Sequence, residues 1–280
     1  MNSSTQSAWH DRTITFLGGG AMAKAMMQGV LQAGVPAARL RVADPAAAQR
    51  QALSAQFPGI GVFAANPEAA TGADAVVVAV KPGVVTRVLD EITPLLDAGV
   101  VVISIAAGIT LATLAAHLPA NQPLVRVMPN TPALVGAGIS VLLPTPQTLE
   151  PQRLLARQIL EAVGLVEEIE QEAWMDGVTG LSGSGPAYVY LMAEALSDGG
   201  VASGLPRPLA DRLAIRTLLG AAKLLEESGL HPGVLKNQVT SPGGTTIAGL
   251  EALEKAGVRG ALMAAVQAAA RRSHELGMAR

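Results

Sequence analysis

Cysteine is absent from this chain of 280 residues. Its absence excludes disulfides, thiolate zinc sites and a cysteine nucleophile, and is typical of a cytoplasmic protein. The sequence contains four histidines, but no two of them are closely spaced. We therefore predict no metal site built on histidine.

Neither an excess of one charge nor a long hydrophobic run is present. The formal net charge is −2, so we expect no nucleic-acid partner. The longest apolar stretch, 100–109, is interrupted by Ser104 and Gly108 and is too short to cross a bilayer. Residues 1–12 are polar and lack the apolar segment of a signal peptide. We predict a flexible tail there, and no membrane partner.

Two parts of the chain differ in pattern. Between residues 13 and 166, short β-branched runs alternate with alanine-rich stretches, which is typical of a parallel sheet covered by helices on both faces. The predicted strands are 14–17, 40–43, 75–80, 100–105 and 125–128, and the predicted helices are 21–33, 46–56, 84–96 and 111–117.

Between residues 167 and 280 the strand signals stop. The sequence predicts helices at 186–203, 208–228, 245–256 and 259–276, with Pro186 in a first turn and Gly229 as a C-cap. Segment 187–196 is apolar around most of its circumference, and such a helix is normally buried on all sides. A helical part of about 110 residues can bury little surface alone, so we expect it to pack against a partner subunit.

A glycine-rich sequence follows the first predicted strand. Gly18 permits a tight turn, Gly20 lets a phosphate approach the backbone, and Ala23 allows close packing of helix on strand. This pattern predicts a dinucleotide site at the start of the next helix. The alternative is a plain glycine turn.

Asp44 ends the second predicted strand, about 24 residues after Gly20. An acidic residue at this place accepts hydrogen bonds from a ribose 2′-hydroxyl and repels a 2′-phosphate, so it favours NADH over NADPH. Two alternatives stay open. Asp44 only starts the turn before Pro45, or one of residues Arg39, Arg41 and Arg50 meets a phosphate.

Three further segments follow predicted strands at the edge where α/β sheets bind ligands. Lys81 either faces the cofactor or only solvates its loop. The small residues from Ser104 to Gly108 suit a cofactor pressed against the backbone. Asn130 either caps its turn or hydrogen-bonds the nicotinamide amide.

Segment 235–251 contains a second candidate anion site. Its small and hydroxyl residues lie between two predicted helices and are Ser241, Gly243, Gly244, Thr245 and Thr246. Hydroxyls and free amides at a helix N-terminus bind carboxylate or phosphate. Since the glycine-rich sequence accounts for one anion, we assign this site to the substrate, which indicates an oxidoreductase acting on a small acid. Alternatively, Ser241 and Thr245 are N-cap residues; both roles can coexist.

From about residue 14 to 276 the chain resembles the pyrroline-5-carboxylate reductase family. The matching segments are 18–23, 80–82, 104–108, 128–132, 176–188, 198–206 and, most specifically, 235–251. The resemblance implies an α/β Rossmann-type dinucleotide-binding domain at 13–166, followed by an all-α dimerisation and substrate-binding domain at 167–280. It also implies reduction of L-1-pyrroline-5-carboxylate to L-proline by NADH or NADPH, the last step of proline biosynthesis. It further implies a homodimer, which in some members assembles into rings of dimers, and we expect the protein to be cytoplasmic.

The resemblance and the patterns together give the expected site. The cofactor-binding residues are Gly18, Gly19, Gly20, Ala21, Met22, Asp44, Asn66, Ala79, Val80, Lys81, Pro82, Ala106, Ala107 and Asn130. The substrate-binding residues are Ser241, Pro242, Gly243, Gly244, Thr245 and Thr246, and the resemblance places Thr246, the expected catalytic residue, near the imine nitrogen. It places Asn66 near the adenosine. Members that use NADPH tend to carry serine where this chain has Asp44.

Two other functions are open. A β-hydroxyacid dehydrogenase usually needs a lysine or another acid/base, and only Lys236 lies near the 241–246 loop in sequence. A non-catalytic nucleotide sensor would not need to keep that loop. For the glycine- and serine-rich segment 180–186 we expect a structural role, the close approach of helices.

Overall fold

The computed structural model describes residues 9–278, which form two compact units. The first comprises residues 9–183 and 269–278, and the second is Ser184–Ala268. The domain limits expected from the sequence, 13–166 and 167–280, rest on composition and remain a prediction.

An eight-stranded sheet forms the centre of the first unit, in the order β3-β2-β1-β4-β5-β6-β7-β8. The strands are β1 (Ile14–Leu17), β2 (Leu40–Ala43), β3 (Gly61–Phe63), β4 (Ala75–Val78), β5 (Val101–Ser104), β6 (Leu124–Met128), β7 (Gly138–Pro144) and β8 (Gly164–Glu168).

The sequence pattern predicted a parallel sheet, but one pair of strands is antiparallel. β1 to β6 pair in parallel, whereas β7 runs antiparallel to β6 and parallel to β8. The connection 129–137 is shorter than the roughly dozen residues that a parallel crossover needs, so the chain turns back beside β6. The five predicted strands are confirmed, and β3, β7 and β8 are additional.

Helices cover both faces of the sheet. They are α1 (Ala21–Gln32), α2 (Ala47–Gln56), α3 (Asn66–Ala70), α4 (Val85–Ile92), α5 (Leu111–Ala116), α6 (Glu150–Glu161) and α7 (Met175–Val178). α1, α2 and α6 pack on the face that carries Ile14 and Phe16, and α3, α4 and α5 on the face that carries Leu17. β1 is therefore buried on both sides, as expected of a central parallel strand.

The second unit is helical. Its elements are α8 (Gly185–Ala202), α9 (Arg207–Ser228), α10 (Pro232–Gln238), α11 (Thr245–Lys255) and the beginning of α12 (Val258–Met278), whose residues from Ala269 onward belong to the first unit. Pro186 lies in the first turn of α8, and Gly229 ends α9 with a φ of +60°, which confirms both predictions. In the single chain α8 is not enclosed: Leu191 is 65% exposed.

Part of the predicted tail is packed. Trp9 is only 8% exposed and joins the core on the α1 face, and Arg12 pairs with Asp74 at 2.8 Å. Burial of the large apolar surface of an indole ring is favourable and stabilises this contact. Trp9 and Arg12 therefore contact the first unit, residues 1–8 lie outside the described part, and the flexible tail at 1–12 stays a prediction.

Two features are missing from residues 9–278. No helix there has the length and apolar character that crossing a membrane requires. No three His, Asp or Glu side chains in this range are grouped so that they could hold a metal ion.

Candidate active site

The parallel strands of the first unit end at one edge of the sheet, and the predicted cofactor residues follow those ends closely. Gly18 comes directly after β1, Asp44 after β2 and Ala79 after β4; Ala106 and Asn130 follow β5 and β6. The carboxyl ends of parallel strands form the ligand crevice of open α/β sheets. The structure therefore brings these residues to the edge where a dinucleotide binds in such folds.

Gly18 makes the tightest approach at this edge. Its φ is +97°, and a Cβ added there would lie 2.7 Å from the carbonyl oxygen of Ala79 and 2.9 Å from Cγ1 of Val80. Its amide donates to the carbonyl oxygen of Ala43 at 2.8 Å. Glycine is thus required for β1 to turn so close to β4.

The first turn of α1 is open to an anion. Gly20 is its N-cap residue; no side chain caps the turn, and the turn carries no acidic residue. A Cβ at Gly20 would meet no atom within 4 Å, and Ala21 and Met22 begin the helix. A helix N-terminus with uncapped amides and free space suits a pyrophosphate. The residues present therefore fit a dinucleotide.

Two backbone amides hold the Asp44 carboxylate. Oδ2 accepts from the amide of Gly19 at 3.0 Å, and Oδ1 accepts from the amide of Ala46 at 2.9 Å. The first bond joins the end of β2 to the glycine turn, and the second forms a local turn before α2. Each carboxylate oxygen can accept a further hydrogen bond. Asp44 can therefore serve as a turn residue and as a ribose ligand at once.

Two of the three arginines that would favour a 2′-phosphate donate to carbonyl oxygens. Arg41 donates to Thr71 at 2.6 Å. Arg50 donates through Nη1 to two carbonyl oxygens of the loop after β2, at 3.0 and 2.8 Å, one of them that of Asp44 itself. Arg39 is exposed. Arg50 is thus a cation adjacent to Asp44, and the preference for NADH stays a prediction.

Asn66 and Lys81 also lie beyond strand ends. Asn66 begins α3 and donates from Nδ2 to Oε2 of Glu91 at 2.7 Å. Lys81 is exposed ahead of the short 3-10 turn Pro82–Val84. The roles expected for both residues toward a cofactor remain predictions.

The segment after β5 presents backbone at this edge because its side chains are small. Ala106 is buried and Ala107 is exposed. Ser104, the last residue of β5, is 1% exposed, and its hydroxyl has no hydrogen-bond partner among the described residues. An unpartnered buried hydroxyl costs roughly 1–3 kcal/mol, so this strand end calls for a water or a ligand group.

Asn130 joins its turn to β7. Its Oδ1 accepts from the amide of Ile139 at 2.9 Å, and its side chain does not cap the following turn, Thr131–Val135. The capping alternative is therefore wrong. Its Nδ2 has no partner within residues 9–278 and can donate to an acceptor such as a nicotinamide carbonyl.

The 241–246 loop lies in the second unit. The amide of Gly244 donates to the carbonyl oxygen of Ser241 at 3.1 Å, with Pro242 and Gly243 between them. Gly243 has a φ of +67°. Proline followed by a glycine of positive φ is the sequence of a type II turn, which leads the chain directly into α11.

The N-terminus of α11 carries the hydroxyls of this loop. Gly244 is the N-cap residue, and no side chain caps the first turn, so the capping interpretation of Ser241 and Thr245 is wrong. A Cβ at Gly244 would lie 2.3 Å from Oγ of Ser241; glycine leaves room for that hydroxyl beside the helix end. Thr246 is half-buried at the second helical position. Uncapped amides and adjacent hydroxyls suit a carboxylate.

Sequence patterns missed some contacts. Gln49 donates from Nε2 to the carbonyl oxygen of Gly19, which ties α2 to the glycine turn; no motif marks this residue. In segment 180–186, a Cβ at Gly183 would lie 2.3 Å from Cε of Met128. This contact is with a side chain of strand β6 and not with another helix, so the close approach of helices expected for the segment stays a prediction.

Known proteins resemble this chain over nearly its whole length. A family model for pyrroline-5-carboxylate reductase dimerisation matches residues 172–276, and one described as NADP oxidoreductase, coenzyme F420-dependent, matches residues 13–108. A pyrroline-5-carboxylate reductase of Glycine max is 45% identical over 265 residues, covering 94% of this chain and 96% of that protein.

Two solved structures have the same fold throughout. A pyrroline-5-carboxylate reductase from Coxiella burnetii superposes with a TM-score of 0.89 at 35% identity, covering 95% of this chain and 98% of that one. The Plasmodium falciparum enzyme, solved with NADP bound, gives 0.86 at 33% identity, covering 96% and 99%. With the sheet edge, the glycine turn and the 241–246 loop in place, the chain belongs to the pyrroline-5-carboxylate reductase family.

Proposed function

We propose that this protein reduces L-1-pyrroline-5-carboxylate to L-proline with NADH or NADPH, the last step of proline biosynthesis. The observation that carries the proposal is a pair of helix N-termini without side-chain caps, each suited to an anion, within one chain of this family. The first, at α1, has the glycine turn of a dinucleotide site. The second, at α11, has the uncapped amides and hydroxyls that suit a small carboxylic acid.

The chain's own residues would hold and orient the cofactor and the substrate. Residues Gly18–Gly20 and the start of α1 would receive the pyrophosphate, Asp44 the adenosine ribose, and residues after β5 and β6 the nicotinamide half. When bound, the reduced nicotinamide supplies a hydride. Ser241 and the amides around 243–245 would bind the substrate carboxylate.

Thr246 would act on the ring nitrogen. A protonated imine is already electrophilic, so hydride addition needs orientation more than a strong acid. The 241–246 loop offers hydroxyls and amides and no acidic or histidine side chain. We assign Thr246 to orienting the nitrogen and relaying a proton from water. A β-hydroxyacid dehydrogenase would need an acid/base that this loop does not provide.

Cofactor choice gives the direct test. With L-1-pyrroline-5-carboxylate, we expect NADH to be oxidised faster than NADPH at equal concentrations, because the Asp44 carboxylate repels a 2′-phosphate. Asp44→Asn removes the charge and keeps the shape, and it should shift the ratio of kcat/KM values toward NADPH by roughly tenfold. Asp44→Ser should shift it the same way.

Three outcomes have distinct meanings. Faster oxidation of NADPH by the unaltered protein would keep the reductase and overturn the role of Asp44. An unchanged ratio in both variants would do the same. Oxidation of neither cofactor would contradict the reductase and favour the dehydrogenase or the nucleotide sensor.

We also propose that the protein is a cytoplasmic homodimer, with larger rings of dimers as a further assembly. Much apolar surface of the second unit is uncovered in the single chain, and monomers rarely expose large apolar patches. The exposed side chains on α8 and α9 include Val189, Tyr190, Leu191, Leu196, Leu213, Ile215 and Leu219. Light scattering at micromolar concentration should give at least twice the chain mass of 28.5 kDa. A monomer would contradict the homodimer.

A further inference from the structure

A polar cluster in the first unit lies outside the residues assigned to cofactor and substrate. This Glu172 cluster consists of Arg126, Glu172, Asp176, Ser273 and His274. Its members line a cavity of about 240 Å³ together with residues of the loop between β5 and α5. That loop, 105–110, contains two of the expected cofactor residues.

Arg126 anchors the cluster from inside the sheet. It lies in β6 in register with Ser104 of β5, and its side chain is only 8% exposed. Its Nη1 donates to Oε1 of Glu172 at 2.6 Å. Burying a guanidinium is unfavourable unless an opposite charge accompanies it, so the Glu172 carboxylate is held at this position.

The same carboxylate oxygen fixes the end of the loop. Oε1 of Glu172 accepts from the amide of Leu111, the first residue of α5, at 2.7 Å. The hydroxyl of Thr110 accepts from the amide of Thr113 in the same turn. A negative charge at a helix N-terminus is favourable. The 105–110 loop is therefore held at both ends, by the ladder of β5 and by Glu172.

Residues of α12 pack against the middle of the 105–110 loop. A Cβ at Gly108 would lie 3.4 Å from Cβ of Leu276. In the same turns of α12, the hydroxyl of Ser273 donates to Oδ1 of Asp176 at 2.7 Å, and Nδ1 of His274 lies 3.2 Å from Oδ2. The end of α12, itself bonded to Asp176, therefore packs against Gly108 in the middle of the loop that carries Ala106 and Ala107.

We propose that Glu172 is a positioning residue: held by Arg126, its carboxylate fixes the 105–110 loop so that Ala106 and Ala107 orient the nicotinamide half of the cofactor. This inference rests on the proposed function, which places the cofactor at this edge. It assigns Glu172 no contact with substrate or cofactor.

The affinities for two ligands, compared with each other, distinguish a loss of loop positioning from a general loss of structure. ADP-ribose uses the glycine turn and Asp44 but has no nicotinamide, whereas NADH uses both halves of the site. Glu172→Ala should weaken NADH binding and lower kcat by about tenfold each and leave ADP-ribose affinity unchanged. Glu172→Gln keeps an acceptor for the Leu111 amide and should lose less; it also serves if the alanine variant fails to fold. Both affinities can be measured by ligand-induced shifts in unfolding temperature and by fluorescence titration.

Asp74 provides a matched control at the opposite edge of the sheet. It also accepts from one arginine, Arg12, and from one backbone amide, that of Thr13, both at 2.8 Å. Asp74→Ala removes the same two kinds of bond, although Arg12 is 52% exposed where Arg126 is buried, and should leave the ratio of NADH to ADP-ribose affinity unchanged.

Failure of the positioning role and failure of the proposed function give different results. If both Glu172 variants keep the normal ratio and kcat, or if they lose NADH and ADP-ribose affinity together, the positioning role is overturned. If the unaltered protein binds NADH but does not reduce L-1-pyrroline-5-carboxylate, the proposed function fails, and the affinity ratio still tests Glu172.

Discussion

Gly18→Ala should weaken NADH binding by about 100-fold, and should lower the free energy of unfolding by roughly 2–4 kcal/mol. The substituted residue would have to keep a φ of +97°, which side chains with a Cβ rarely adopt. Its methyl group would also overlap the carbonyl oxygen of Ala79, 2.7 Å away. Because that atom is backbone, β4 or the glycine turn must shift, and the turn is the part that receives the pyrophosphate.

Gly20→Ala separates the cofactor effect from the stability effect. Gly20 has ordinary backbone angles and free space around it, so alanine should lower the unfolding free energy by no more than about 1 kcal/mol, the cost of alanine at an N-cap. It should nevertheless weaken NADH binding, since a methyl group then stands where a phosphate approaches the backbone. Gly99→Ala, also in open space, is the control for both readouts. If Gly18→Ala proved as stable as Gly99→Ala, the close approach to β4 would not be a constraint on this fold.

Thr246→Val is expected to reduce kcat for L-1-pyrroline-5-carboxylate by roughly 100-fold. Valine replaces the hydroxyl by a methyl group of similar size. The Thr246 hydroxyl makes no hydrogen bond within residues 9–278, so its loss should cost little stability. A large fall in turnover at an unchanged unfolding temperature would then report on the hydroxyl alone.

Neighbouring variants make this result specific. Thr246→Ser keeps a hydroxyl and should retain most of the turnover. Thr245→Val alters the adjacent exposed residue, whose expected contribution is its backbone amide, and should change kcat by no more than a few-fold. Near-normal turnover in Thr246→Val would reduce Thr246 to a packing residue.

The central part of the fold could be predicted because its strands are buried on both faces. Such strands read as continuous β-branched and aliphatic runs, as in β4 and β5. β3 has three residues and none of them is fully buried, so its sequence carries no comparable signal. β8 lies at the sheet edge and ends in two glutamates. The direction of β7 depends on the length of the connection before it, which periodicity does not reveal.

The candidate site was predictable where function follows from order along the chain. Residues after the ends of successive parallel strands must meet at one edge, so the sequence alone predicts that Gly18, Asp44 and Ala106 lie together. The Glu172 cluster has no such regularity. Arg126 and Glu172 are 46 positions apart, and neither belongs to a motif, so their pairing emerges only from the packed structure.

The order of the strands bears on how the protein is made. From β1 the sheet grows first through β2 and β3 on one side, and then through β4 to β8 on the other. Each strand that leaves the ribosome can therefore add to an edge that already exists, and none has to be inserted between strands that are already paired. The sheet can assemble in the order of synthesis, with β4 making the single change of side.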